Sequence, residues 1–560
     1  MCGIWLTIGQ LLSIHNPQNW IKALEARGPE TTQVLTLSGD VVLGFTRLAI
    51  NGCNPAGDQP FQRKNLVWMC NGEIYNWRSL ANDHMWFGNL SGSDCEVIGF
   101  LYEQYKHNLT SLFRSLDGVF ALTIVDLEAK KLIVARDPYG VRPLFTGTKF
   151  LYEYQGGTNL RVGVSHVSFS SEIKGLVPLC DTIVPFLPGH YQIWDIETKQ
   201  CLSTVRYHTT PWLTNPMYTA LHHSGLEMAC AGVRFALEEA VKKRMLTERP
   251  VAALLSGGID SSLIAALVQR SLRANGLPSL KTFSIGMSGS TDLQYAKQVA
   301  TWIGSDHTEI ILTADDFFKA IPQVIRAIES FDTTTVRASV GNWLVAKEIR
   351  ARSECKVVFN GDGSDEVFGS YLYFYNAPSD RAYEEEVGRL LEDIHYFDVL
   401  RSDRCISSHG LEPRTPFLDK QFVNVARSIA TYWRRPFKGR QVEKWILRKA
   451  FDDGITLPRE VLYRKKEAFS DGVSSHEKSW YEEIQDRVKN YVPANWKEIA
   501  ERSYTYLVPQ TAEQYYYRYM FEAEFTKIPS VSCVPYFWMP KWTPGATDPS
   551  ARTLDVYTSS

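Results

Sequence analysis

The stretch Val251-Ala252-Ala253-Leu254-Leu255-Ser256-Gly257-Gly258-Ile259-Asp260-Ser261-Ser262 decides how the larger part of the chain folds. Its five leading apolar residues read as a short buried strand, and Leu263-Ile264-Ala265-Ala266-Leu267-Val268 reads as the start of a buried helix. The turn between them carries two glycines and three serines. A strand-to-helix turn of that kind points several backbone N–H groups and a helix N-terminus at one place, which makes an anion site. The Gly-x-x-x-x-Gly-Lys spacing of a Walker loop is missing, so transfer of a γ-phosphate is not the natural reading.

Outward from this stretch the pattern repeats. Helical periodicity begins near Leu226, and Ala231 to Arg244 reads as an amphipathic helix ending in Lys-Lys-Arg. Lys281–Gly286, His307–Leu312 and Lys356–Asn360 read as strands, with a helix over Asp292–Ile303. Strands alternating with helices predict a parallel sheet covered on both faces, with ligands at the carboxyl ends of its strands. At one such end lies Asn360-Gly361-Asp362-Gly363-Ser364-Asp365-Glu366. Glycines and carboxylates there suit magnesium and a triphosphate, although a solvated acidic turn has the same composition.

The first two hundred residues read differently. Val41–Leu43, Leu66–Met69, Phe120–Val125 and Lys131–Val134 are short strands with few helices between them, which predicts stacked antiparallel sheets. Cys2 is the sharp feature here. Trimming of Met1 would leave Cys2 first, and its α-amine, with an ordinary pKa of ~7.7–8.0, would serve as base for its own thiol. Ser203 to about Gly225 reads as the connection between the two parts.

Composition limits the function classes. At 560 residues the chain holds about two to four domains. A net charge of −2 with no basic stripe argues against nucleic acid as partner. Ten cysteines without a Cys-x-x-Cys pair support neither a zinc knuckle nor a disulfide framework. Neither a signal peptide nor an apolar run long enough for a bilayer is present, so a membrane is not expected and the cytosol is the expected compartment.

Ordered motifs carry a resemblance. Ser256-Gly257-Gly258-Ile259-Asp260-Ser261-Ser262 resembles the pyrophosphate loop of the N-type ATP pyrophosphatases, which adenylate a substrate by splitting ATP between its α and β phosphates. Arg27-Gly28-Pro29-Glu30, Gly44 to Ile50, Asn71-Gly72-Glu73-Ile74-Tyr75-Asn76, Gly92-Ser93-Asp94 and Ala135 to Leu144 together resemble the class II glutamine amidotransferase domain. Both halves in this order are similar to the glutamine-hydrolysing asparagine synthetases. The resemblance implies an N-terminal nucleophile αββα sandwich over residues 1–205. A doubly wound parallel-sheet ATP pyrophosphatase domain with extra helices and a C-terminal tail follows over 206–560.

It also implies site residues. Cys2 is the nucleophile, with Asn71 and Gly72 as oxyanion donors. Arg47, Asn71, Glu73 and Asp94 hold glutamine, the arginine at its carboxylate and Asp94 at its ammonium. Leu255, Ser256, Gly257, Gly258, Asp260, Ser261, Ser262, Ile285, Asn360 and Gly361 hold ATP; Asp260 and Asp365 hold Mg²⁺. Asp332, Arg401 and Arg414 hold aspartate, and Lys466 steadies the phosphates. Singly, Arg47, Asp94, Arg401, Arg414 and Lys466 also read as surface ion pairs, and Asn71-Gly72 as a hairpin turn. The implied partners are L-glutamine, L-aspartate and ATP, and a homodimer is the family expectation.

One departure bears on chemistry. The family pattern Ser-Gly-Glu-Gly reads Asn360-Gly361-Asp362-Gly363 here, and its glutamate is the candidate base toward ammonia. The shorter carboxylate retracts by roughly one C–C bond, ~1.5 Å. Lys465 stands where proline usually precedes the lysine of Lys466-Glu467-Ala468-Phe469. The reading therefore keeps three possibilities. They are a working synthetase, a related amidotransferase acting on another carboxylate, and a synthetase-impaired or non-enzymatic paralogue.

Overall fold

The structure is a computed structural model. It describes all residues except 10–16, 38–39, 87–89, 156–157, 211, 213–224, 440, 468–471, 475–477, 527–532, 547 and 551–560. Part of the motif after Lys466, most of the expected connection and the end of the tail lie outside the described residues.

The strands that build the first unit include β1 (Gly3–Gly9), β2 (Val41–Arg47), β3 (Leu66–Ile74), β4 (Gly118–Asp126), β5 (Lys131–Arg136), β6 (Thr158–Ser170) and β7 (Cys201–Arg206). They fall into two six-stranded antiparallel sheets among the described residues. Residue alternation explains the stacking. Ile4, Leu6 and Ile8 of β1 meet Val67 and Met69 of β3 between the sheets. The residues of opposite parity turn away: Trp68 and Cys70 pack under the helix Val97–Tyr105, and Trp5 packs outward with Ile21 and Leu24.

The four strands expected in this unit run longer than their apolar cores. β3 extends through Asn71, Gly72 and Glu73, paired with Ala121, Phe120 and Val119 of β4. Asn71-Gly72 is therefore strand and not a hairpin turn. A Cβ at Gly72 would lie 2.2 Å from the Val119 carbonyl oxygen, so glycine lets the two backbones approach. Ser203 to Arg206 belongs to β7, which moves the start of the expected connection past Arg206.

The second unit opens with α1 (Leu226–Arg244), then β8 (Val251–Leu254), α2 (Ile259–Ala274), β9 (Lys281–Gly286) and β10 (Asp306–Ile311). α3 (Thr333–Arg352), β11 (Val357–Phe359), α4 (Asp398–Ser407) and β12 (Glu412–Arg414) follow. The five strands form one parallel sheet in the order β10-β9-β8-β11-β12. α2 packs on one face with Leu263, Ile264 and Leu267, and α3 on the other with Val336 and Val340. The chain moves outward from β8 to β10, then returns to place β11 on the opposite side of β8. That reversal opens a crevice beyond the carboxyl ends of β8 and β11.

The two units share cores and charge. Leu48, Ile50, Tyr139 and Val141 of the first pack with Val233 and Leu237 of α1. Arg27, fully buried, pairs with Glu172 and with Asp403 of α4, each at 2.8 Å. Arg404 pairs with Glu172 and Glu329 at 3.1 Å each. Buried ion pairs specify geometry more than they add stability, because removing one partner strands the other.

Candidate functional site

Two sites emerge, one per unit. In the first, Cys2 sits at the foot of β1, half-buried against the inter-sheet core, and its Sγ donates to the Leu48 carbonyl at 3.7 Å. Arg27 Nε donates to the Cys2 carbonyl at 3.0 Å. Met1 is buried, and its ammonium donates to the Leu411 carbonyl of the second unit at 3.4 Å. Burial pushes the Cys2 thiol up to about 11 and the Met1 ammonium down to about 6. An amine in that place is a free base at neutral pH.

The other residues expected in this site are buried or half-buried in the same unit. The Asn71 side chain is fully buried with neither amide atom hydrogen-bonded, a costly state unless a ligand completes it. Arg47 donates to the Gly52 and Asn54 carbonyls at 2.6 and 2.9 Å and pairs with Asp58 at 2.5 Å, so it organises the loop that borders the site. Asp94 accepts the Ile74 N–H at 2.6 Å. Glu73 accepts from the Asn51 amide at 2.6 Å and pairs with Arg414 at 3.3 Å.

Burial pushes the Asp94 carboxyl up to about 6, against the help of the Ile74 N–H. A raised carboxyl is neutral below its pKa, whereas an ammonium ligand needs the anion. A ligand ammonium held at Asp94 would therefore bind fully above pH 6 and about tenfold more weakly per pH unit below it. Ligand affinity followed from pH 5 to 8 measures this, and Asp94→Asn should weaken binding and flatten the profile. An unchanged profile in that variant would remove Asp94 from the site.

The second site is a cleft of about 250 Å³ at the carboxyl ends of β8 and β11. The N-cap of α2 is Gly258, which offers no side-chain cap, and the first residues of the helix line the cleft. Gly257 is left-handed at φ 72°, and a Cβ there would lie 2.4 Å from Tyr295 Cβ. Ser256 and Ser261 share a hydroxyl contact at 3.0 Å, while the Ser262 hydroxyl is buried without a partner. A Cβ on Gly361 would lie 2.7 Å from Asp260 Cβ, so glycine lets the two loops touch. Leu255 and Ile285 line the apolar side and Asn360 the polar one, its amide donating to Ser402 Oγ at 2.6 Å.

Charge is concentrated here. Lys444 Nζ bridges Asp260 at 2.5 Å and Asp365 at 2.7 Å, and Lys466 also pairs with Asp365. Burial opposes ionisation of Asp365, but the two ammonium groups outweigh it and hold the carboxyl well below its usual range. Asp260 Oδ1 is buried and unpartnered. Two carboxylates sharing one cation, with a spare oxygen, fit a hard divalent ion bound by few protein ligands.

Asp362 accepts from Arg401 at 3.0 Å, and its Oδ2 is buried without a hydrogen bond. Burial pushes its carboxyl up, Arg401 pulling the other way. Arg401 reaches Asp398 as well, at 3.1 Å. The Tyr371 hydroxyl lies within hydrogen-bond distance of both Glu366 and Asp398, the latter at 2.7 Å. An arginine beside a carboxyl pair is complementary to an amino acid's carboxylate and ammonium.

Two expected aspartate contacts lie elsewhere. Asp332 caps α3, accepting the Thr335 N–H at 2.9 Å and the Trp538 N–H at 2.8 Å, and it does not line the cleft. Arg414 is 1% exposed, donates to the Leu246 carbonyl at 2.7 Å and pairs with Glu412 at 2.9 Å and with Glu73. It neutralises carboxylates between the units and does not reach the cleft. Conversely Lys444, Tyr371 and Trp538 line the cleft unforeseen, and Glu366, expected there only as one of the acids of its turn, lines it too. Lys444 holds a left-handed backbone, φ 56°, just before a helix, and its sequence context carries no signal beyond a surface charge.

The model of the glutamine amidotransferase domain matches residues 1–187, and that of asparagine synthase matches 232–389 and 378–530. Over 586 aligned residues the chain is 38% identical to the glutamine-hydrolysing asparagine synthetase of Gallus gallus, covering all of both chains. The enzymes so named from Rattus norvegicus and Homo sapiens are likewise 38% identical over 585 residues, again end to end.

Proposed function

Because the chain belongs to the glutamine-hydrolysing asparagine synthetases, we propose that the thiol site releases ammonia from glutamine and the cleft consumes it. The enzyme makes L-asparagine from L-aspartate with ATP, using glutamine as nitrogen donor. The observation that carries the assignment of residues is the orphaned, fully buried Asn71 amide in a chain whose second cleft carries an uncapped helix N-terminus.

In the first site, removal of Met1 frees the Cys2 α-amine, which takes the thiol proton. Sγ attacks the side-chain carbonyl carbon of glutamine, and the oxyanion falls to Asn71 Nδ2 and the Gly72 N–H. Ammonia leaves as the thioester forms, and water then releases glutamate. Arg47 and Asp94 take the carboxylate and ammonium of glutamine. Glu73, held by Arg414 and Asn51, lies along the same edge.

In the cleft, the loop from Leu255 to Ser262 takes the phosphates on its N–H groups, and Ile285 offers an apolar wall to the adenine. Asp260 and Asp365 would hold Mg²⁺, which supplies charge neutralisation to the triphosphate. Lys444 and Lys466 steady the leaving pyrophosphate as a carboxylate oxygen of aspartate bonds to the α-phosphorus. Arg401 and the Glu366–Asp398 pair orient the amino acid. Ammonia then attacks the acyl carbon, AMP leaves, and Asp362 accepts the proton from nitrogen.

The test uses the full chain with ATP, Mg²⁺, aspartate and amide-¹⁵N glutamine. Equal amounts of ¹⁵N-asparagine, glutamate, AMP and pyrophosphate are expected. Pyrophosphate formed with another carboxylate but not with aspartate would replace this reading by that of a related amidotransferase. The reading includes a cytosolic homodimer, for which sedimentation at micromolar concentration should give twice the chain mass. No helix among the described residues is long and apolar enough to cross a membrane.

A further inference from the structure

The C-terminal segment is woven into the second site. Cys533 and Val534 are buried in the core that holds α3. The Tyr536 hydroxyl donates to Asp393 at 2.5 Å, and Lys541 pairs with Glu386 at 2.5 Å. Further along, Asp548 meets the buried Arg337 guanidinium at 2.7 Å, alongside Glu513 at 2.6 Å. Between these anchors Trp538 lines the cleft, 8% exposed. Its backbone N–H is held by Asp332, whose other oxygen caps α3. Its ring lies 5.4 Å from the Tyr371 ring and 6.0 Å from that of Tyr373.

Tyr371 is what Trp538 acts upon. Its hydroxyl lies between Glu366 and Asp398, within hydrogen-bond distance of each, and the Lys466 ammonium lies 5.5 Å over its ring. Asp398 in turn fixes Arg401, which holds Asp362. Each group that would meet the amino acid is therefore set by a tyrosine whose ring is backed by the tryptophan. The link from Tyr371 to the phosphate loop at the start of α2 is indirect, through Lys466, Asp365, Lys444 and Asp260.

We propose that Trp538, carried by the C-terminal segment and pinned by Asp332, is a positioning residue for the acceptor half of the cleft. It holds Tyr371, and through it the Glu366–Asp398–Arg401 set, in the geometry that accepts aspartate, and it bears less on ATP, through the Lys466 ammonium over the Tyr371 ring. The proposal rests on the synthetase reading above.

The test measures asparagine formation with ammonia as nitrogen source, which bypasses Cys2, and takes KM for aspartate and for ATP separately. Trp538→Ala is expected to raise KM for aspartate about tenfold or more while KM for ATP stays within about twofold. Trp538→Phe, which keeps a ring against Tyr371, should restore most of the loss. Tyr371→Phe should give a similar shift, and adding Trp538→Ala to it should add little, because the two act through one contact. Glutamate release from glutamine serves as the folding control and should not change.

A parallel rise of both KM values, or effects of the two substitutions that multiply, would overturn the proposal. So would loss of glutamate release in both Trp538→Ala and Trp538→Phe, which would assign Trp538 to general packing. Absence of asparagine from the unaltered chain would overturn the synthetase reading as well, which separates the two failures.

Discussion

Cys2→Ala should lower glutamine-dependent asparagine formation on the order of 10⁴-fold, and leave ammonia-dependent formation within about twofold. The loss is large because thiol attack has no substitute. Asn71, Arg47 and Asp94 can bind glutamine, but none can form the thioester. The sparing of the ammonia reaction follows from the placement of Cys2. It is only half-buried, and its thiol makes one long contact, 3.7 Å to the Leu48 carbonyl, so removing one atom leaves the seam between the units intact. Paired assays with glutamine and with ammonium chloride decide it. Equal loss with both nitrogen sources would move the nucleophile elsewhere. Retention of Met1 should mimic the substitution, since the base would then be an amide nitrogen; mass spectrometry of active protein should show Cys2 first.

Asp362→Asn should lower asparagine formation by about 10²–10⁴-fold, the range of a lost general base, with glutamate release unchanged. One oxygen of Asp362 is held by Arg401, and Oδ2 is buried and unpartnered, so one site is open to take a proton. Burial raises the carboxyl pKa, which makes the anion a better base once formed. The sign of the pH effect follows: synthesis should rise with pH as Asp362 ionises, and the asparagine variant should lose that limb. Asp362→Glu, which restores the longer reach, is expected to stay within about tenfold of the natural chain. If the asparagine variant keeps full synthesis, another group is the base. If the glutamate variant instead raises synthesis about a hundredfold, Asp362 is an impairment and the paralogue reading returns.

The parts of both sites that depend on local chemistry were legible in the sequence. The β8–α2 turn declares itself through glycines and serines between two apolar runs, and Asn360 to Glu366 through carboxylates at a strand end. Long-range pairing was not legible. Arg414 has the composition of a substrate ligand, but its partners Glu73 and Glu412 come from opposite sides of the seam. Asp332 was assigned to the site by the resemblance, yet an aspartate directly before the threonines that open α3 is also the signature of a helix cap. Lys444 was invisible because its function depends on a left-handed backbone and on carboxylates brought from two other loops. β3 was cut short for a related reason: Asn71, Gly72 and Glu73 are polar or small, yet they continue a buried strand.

The seam described above has a consequence for ancestry and for engineering. Arg27, Glu73, Arg142 and Glu172 on one side answer Asp403, Arg404, Glu412 and Arg414 on the other, all of them buried. Each mismatched partner in a chimaera would strand a charge at about 3–5 kcal/mol. Two such mismatches approach or exceed the ~5–15 kcal/mol by which a domain is stable at all. Halves borrowed from different lineages can therefore be joined only if these eight positions travel as a set, and shuffling will keep them together as if they were one gene segment.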